Sequence, residues 1–272
     1  MIDLTQAIGL PIQLDPDTLT LRFGKGVVSV GQEDVHYGDL ASMLLNAESP
    51  GPDLIYRHYP QVYRHEDDTL LRSRQICLEL TVLAPGCFDA EPLKTCGHYH
   101  NLVPGTSFTY PVIKEIVHGK CHFLLQKADP PYERISDAVL LMGEARERVM
   151  IPPGYGHLEI NPTDGPVVLA TVHSTDLTGL FEPYIQRKGA CYYATKAENT
   201  LLFVPNAAYP DIPTLRVGRA HELPDFALTG QTLYRSVVEE PDRFELLNHP
   251  HRFKERFSGL FDFTHVMHGL LL

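Results

Sequence analysis

The chain has 272 residues, 43% of them hydrophobic, which is enough for one large core or two small ones. Its 34 Asp and Glu outnumber 23 Lys and Arg, for a formal charge of −11. Such a surface repels phosphate backbones and anionic lipid, which argues against nucleic acid and membrane as partners and leaves a small molecule. Five cysteines, Cys77, Cys87, Cys96, Cys121 and Cys191, are odd in number and fit neither a CxxC zinc pattern nor a disulfide framework. The opening "MIDLTQAIGLPIQLD" has no basic stretch, and no apolar run approaches the ~18 residues that span a bilayer. A cytoplasmic location is expected.

In chain order, "TLTLRFGKGVVSV" predicts a hairpin turning at Gly24-Lys25-Gly26, "YGDLASMLLNA" a short helix, and "ESPGPD" a loop. "RQICLELTVLAPG" alternates Ile76, Leu78, Leu80 and Val82 against Cys77, Glu79, Thr81 and Leu83, the pattern of a half-buried strand ending at Pro85-Gly86. "KCHFLLQK", "DAVLLMG", "RERVMIPPG" and "GPVVLATVHS" follow, each bounded by Gly, Pro or Asp. Many short strands with such turns indicate an all-β sandwich or barrel. "ELLNHPHRFKERF" predicts a short helix or extended arm; its His249 and His251 are split by a proline in a polar setting, which argues against a ligand pair. The flanks lack a core-sized apolar pattern of their own. They are expected as extensions with short helices, 1–70 and 196–272, on one barrel at 71–195, and exposed strand edges favour a homodimer.

The segment "TCGHYHN" places His98 and His100 two residues apart. On a strand they share one face, with Cα atoms roughly 6.5–7 Å apart and Tyr99 turned the other way. Gly97 removes bulk where the chain enters. Further on, "IPPGYGHLEIN" contains P-x-G-x-x-H-x-x-x-N, in which a rigid turn at Pro152 and Gly154 delivers His157 to the next strand and Asn161 follows to hold the loop.

Together these two motifs resemble the paired signature of the cupin superfamily, whose small antiparallel barrel or jelly roll holds a metal on two histidines of one strand, a glutamate and a third histidine. "KTCGHYH", "YPVIKEIVHGKCHFLLQK" and "VMIPPGYGHLEINPTDGPVVLATV" narrow the likeness, over about residues 75–195, to the cupin-type glucose-6-phosphate isomerases. The resemblance implies one divalent ion (Fe, Zn, Mn or Ni) on His98, His100 and His157, and interconversion of an aldose phosphate and a ketose phosphate.

One position departs from that pattern. The family glutamate lies seven residues before the glycine closing the first motif, and counting back from Gly119 gives Val112. Glu115 falls on the opposite strand face and is expected to be solvated. Glu159, two residues after His157, shares its face; it is expected as fourth ligand or as the acid/base, or else bonded to Arg or Tyr at the barrel mouth. Thr95, Gly97, Tyr99, Tyr110 and His173 are the candidates for substrate contact, although Cys87 and His173 replace residues that the family uses. Three readings follow: a metal-dependent isomerase of a sugar phosphate or related hydroxy-carbonyl compound, a three-histidine iron dioxygenase, and a sugar-binding cupin without turnover.

Overall fold

The short extended runs become two main β-sheets, with smaller two- and three-stranded sheets beside them, in a computed structural model of the protein, which describes residues 1–198, 200–220, 223, 225–226 and 229–261. The larger sheet has six strands in the order Arg148–Ile151, Val112–His118, Val167–Ser174, Ile76–Leu83, Leu54–Tyr59 and Glu33–His36, all antiparallel. The smaller orders Tyr155–Ile160, Lys120–Lys127, Asp137–Glu144 and Arg216–Arg219, and only its last pair is parallel. The fold is all-β, as expected for a cupin, and takes the form of two sheets rather than a closed barrel. Residues from 33–59 supply two strands to the larger sheet, and 216–219 supply one to the smaller.

Four local expectations change. Thr20–Phe23 and Val27–Ser29 do not pair with each other: the first pairs with Ile12–Asp15, burying Leu21 beside Leu14, and the second with Val62–Arg64. Ile76–Leu83 is buried on both faces, with Glu79 its one partly exposed residue, because the face bearing Glu79 and Thr81 lines an internal cavity. The C-terminal segment, expected as a short helix or extended arm, is a series of 3-10 turns at Pro241–Leu247, Pro250–Arg252 and Lys254–Phe257. The helix expected in "YGDLASMLLNA" is one turn, Tyr37–Leu40, running into a 3-10 turn at Ala41–Met43.

Register on the larger sheet determines what meets in the cavity. Lys114, Thr171 and Glu79 are successive cross-strand partners, as are Thr81, His58 and Glu33. A strand spacing of about 4.8 Å puts Lys114 and Glu79, two strands apart, at opposite ends of a span of roughly 10 Å. The cavity, about 360 Å³, is lined by this face of the larger sheet and by His157 and Glu159 of the smaller, a volume in the range of small-molecule sites.

Candidate metal centre

His98 and His157 come from segments far apart in sequence, yet they are direct cross-strand partners that exchange both backbone hydrogen bonds, at 3.2 and 3.0 Å. His100 follows two residues after His98 on the same face, and one ring nitrogen from each of the three histidines lies within 4.8 Å of the others. The turn at Gly154, whose φ of +86° suits glycine, starts the strand that carries His157. Asn161 ties that strand's end, donating from Nδ2 to the carbonyls of Ala84 and Gly165 at 3.0 and 2.8 Å.

The outer nitrogens of these rings decide their chemistry. His98 Nδ1 lies 3.1 Å from the Cys96 carbonyl, His100 Nδ1 lies 2.6 Å from the Tyr110 carbonyl, and His157 Nδ1 lies 2.8 Å from Glu159 Oε1. Carbonyl and carboxylate oxygens only accept, so each Nδ1 carries the proton and each Nε2 presents a lone pair. Burial, with His157 and Lys114 beside it, holds His98 down to about 3, and burial likewise depresses His100 and His157. Three neutral imidazoles therefore aim unprotonated nitrogens at one another. The Nε2 atoms of His100 and His157 stand 3.2 Å apart with no proton between them, an arrangement that repels unless a cation lies between. Nitrogen ligands 2.0–2.1 Å from a tetrahedral ion are themselves about 3.3 Å apart. The donor set fits a divalent metal.

Glu159 points inward but not at that ion. Its Oε1 accepts from His157 Nδ1 and forms an ion pair with Lys114 Nζ at 3.1 Å, and its Oε2 accepts from Thr95 Oγ1 at 2.7 Å. Burial would raise its pKa, but Lys114 and His157 hold it well below the usual carboxylate range. With these contacts Glu159 sits as the outer partner that fixes His157, not as the fourth ligand, and with each oxygen hydrogen-bonded and its charge balanced by Lys114 it has little capacity as a base.

Of the expected substrate contacts, Thr95 and His173 line the cavity and Gly97, Tyr99 and Tyr110 do not. Thr95 is occupied: its hydroxyl donates to Glu159 and accepts from the Glu159 N–H at 2.9 Å. Gly97 leaves room on the far side, where a Cβ would sit 2.1 Å from the Tyr184 ring. Tyr99, turned away by strand alternation, stacks on Tyr132 at 4.4 Å and accepts from Gln126. Tyr110 contributes its carbonyl to His100. His173 is an ion-paired interior histidine: Nδ1 donates to the Ser174 carbonyl at 2.7 Å, and Nε2 lies 3.0 Å from Glu79 Oε1 without hydrogen-bond geometry. Burial would lower its pKa, but Glu79 overrides this and raises it to about 10. A protonated ring has no lone pair to offer, so the grouping of Cys77, Glu79 and His173 is an ion pair beside a buried thiol and not a second metal centre.

Lys114, Glu79, His58 and Glu33 also line the cavity and were not anticipated. Lys114 shares a strand face with Val112, so the strand that lacks the family glutamate presents an ammonium two residues later. Glu115 is on the opposite face, as alternation requires, but it is buried, bonded to Arg148 at 3.2 Å and to the Leu233 N–H at 2.6 Å. Phe181, 42% exposed, lies over His98 at the cavity mouth with ring centres 5.0 Å apart.

A family model described as glucose-6-phosphate isomerase (GPI) matches residues 37–209, more than half of the chain. No curated protein matches. Among solved structures, an oxalate decarboxylase from Bacillus subtilis is 18% identical with a TM-score of 0.33, covering 46% of this chain and 28% of its own. The same enzyme at pH 4.6 is 19% identical with a TM-score of 0.33, covering 49% and 28%. Peruvianin-I, a cysteine peptidase from Thevetia peruviana latex, is 15% identical with a TM-score of 0.30, covering 39% and 55%. The chain thus spans less than a third of the length of the decarboxylases it matches.

Proposed function

Because the chain belongs to the glucose-6-phosphate isomerase family, we propose that it is a metal-dependent aldose–ketose isomerase acting on a hydroxy-carbonyl compound. The observation that carries this reading is the convergence of three deprotonated Nε2 atoms, from His98, His100 and His157, in the wall of a cavity of about 360 Å³. A divalent ion held there supplies Lewis acidity toward the oxygens of a substrate.

The chain's own residues do the rest. The Cys96 and Tyr110 carbonyls and Glu159 fix the three imidazoles in one tautomer. Lys114 is ion-paired with Glu159 and lines the cavity, where its ammonium offers N–H donors to a substrate oxygen that gains negative charge as its carbonyl is reduced. Phe181, Leu177 and Gly179 limit water at the mouth. At the histidine end the position of the family carboxylate is Val112, and Glu159 is already bonded; Glu79 lies at the far end of the cavity. Among the described residues none stands at the histidine end as a base for the C–H proton, so the hydrogen would pass as hydride from the hydroxyl-bearing carbon to the carbonyl carbon, while the hydroxyl proton passes to the oxygen of the carbonyl so reduced.

The test is metal analysis of purified protein with an anaerobic aldose-to-ketose assay, on wild type and on His100→Ala and His157→Ala. The expected result is one bound ion and turnover in wild type, both lost in the variants while the fold persists by circular dichroism. Oxygen uptake without isomerisation would instead favour the dioxygenase reading, to which a ligand set without carboxylate also lends itself.

A further inference from the structure

We infer that the substrate of this site is an uncharged polyhydroxy carbonyl compound, an unphosphorylated aldose or ketose, and not a sugar phosphate. The inference rests on the isomerase reading and concerns the end of the cavity away from the histidines. A phosphate dianion is held by Lys or Arg side chains, by hydroxyls or by clustered backbone N–H groups. Among the described residues the lining contains no arginine and a single lysine, Lys114, which stands at the histidine end, 3.1 Å from Glu159 and two strands away from Glu79. The residues outside the described set include no lysine or arginine either. Arg57, between the lining residues Tyr56 and His58, belongs to the other strand face and is bound to Asp34 at 2.8 Å.

The remaining groups point the same way. Thr95 spends its hydroxyl on Glu159 and its N–H on the Glu159 carbonyl at 2.8 Å, and Gly97 is outside the lining. The lining also carries the hydroxyls of Tyr56, Thr81 and Thr171, neutral groups that serve a sugar as well as a phosphate, and its carboxylates away from the histidines are Glu79 and Glu33. The imidazolium of His173 is committed to Glu79 and the Ser174 carbonyl, and His58 leans on Thr81 at 3.3 Å. A six-carbon chain held at the histidines by its carbonyl end would carry a terminal phosphate toward these carboxylates, against like charge. A terminal hydroxyl there donates to one of them instead. Glu79 Oε1 makes ion-pair contacts with His173 Nε2 at 3.0 Å and His58 Nε2 at 3.6 Å, and the carboxylate faces the cavity. Phe181 offers the rim an apolar ring for the C–H face of a sugar.

The test is equilibrium dialysis of the manganese-loaded protein against matched probes, glucose with glucose 6-phosphate and ribose with ribose 5-phosphate. The expected result is that a neutral sugar is retained about tenfold or more tightly than its phosphate, as an unpaired like charge dictates. Glu33→Gln, at an exposed position that leaves the fold intact, and Glu79→Gln each narrow that ratio. Equal or tighter binding of the phosphates, retention of none of the four, or a ratio unmoved by both substitutions overturns the inference. Preferential binding of a neutral sugar without interconversion removes the isomerase reading and leaves the selectivity standing.

Discussion

Replacing Glu159 with glutamine keeps the shape of the side chain and removes its charge, at a residue bonded both to a metal-facing histidine and to a buried ammonium. His157 Nδ1 then donates to a neutral amide oxygen in place of a carboxylate at 2.8 Å, and Lys114 loses its partner at 3.1 Å. Loss of an outer partner of this kind lowers metal affinity about 10- to 100-fold, roughly 1.4–2.7 kcal/mol. The unpaired ammonium beside a divalent ion adds to that, so the expected loss is at the upper end, about 100-fold or more. Lys114→Met in the same chain removes the repulsion, and the double variant should regain roughly a factor of ten. Titration of zinc against a competing chelator at fixed pH gives all three affinities. A Glu159→Gln protein that binds within twofold of wild type, or a double variant no better than the single, refutes the assignment of Glu159 as the group that orients His157 and balances Lys114.

The ion pair of His173 and Glu79 predicts a pH window. With its folded pKa raised from 6.5 to about 10, His173 contributes stability that is complete below pH 6.5 and lost as pH rises through about 10. The loss is on the order of 3–5 kcal/mol; urea unfolding at pH 6, 8 and 10 should show it in wild type and not in Glu79→Gln, and a flat wild-type profile counts against it. Gly97→Ala drives a Cβ to 2.1 Å from the Tyr184 ring and should cost about 1–3 kcal/mol by overpacking; an unchanged denaturation midpoint contradicts that packing. If hydrogen moves from carbon to carbon without a protein base, turnover in D2O yields product with no deuterium at the receiving carbon, as mass spectrometry would report; incorporation from solvent requires a base that the histidine end does not display.

The three histidines were legible because spacing alone carries direction: two residues apart on a strand means one face, and a Pro-Gly turn marks where the third begins. The same parity rule bears on Lys114, which follows Val112 by two. A lysine on a strand ordinarily marks a solvated face, and parity gives the face without saying whether it meets water or an enclosed pocket. Glu79 was hidden in the same way. A polar residue in an alternating strand signals a solvated face, yet a cavity between sheets imposes the same pattern, and sequence does not distinguish bulk water from an enclosed pocket. The edge strand Glu33–His36, "EDVH", lacks β-branched or apolar density, since an outer strand packs little of its surface; its assignment depends on pairing with Leu54–Tyr59. The misplaced hairpin is the converse case, where a turn signal was real but each arm found a better-buried partner.

The inward-facing lone pairs of His98, His100 and His157 also have a thermodynamic cost. Their neighbours deny these rings the tautomers that would let two of them share a proton, so the empty site holds electrostatic frustration that only a cation relieves. Ion occupancy is thereby linked to resistance to unfolding, with a gain of RT ln(1 + [M]/Kd) for free metal M. A preparation stripped by chelators would start heat inactivation from a weaker protein, whatever its substrate.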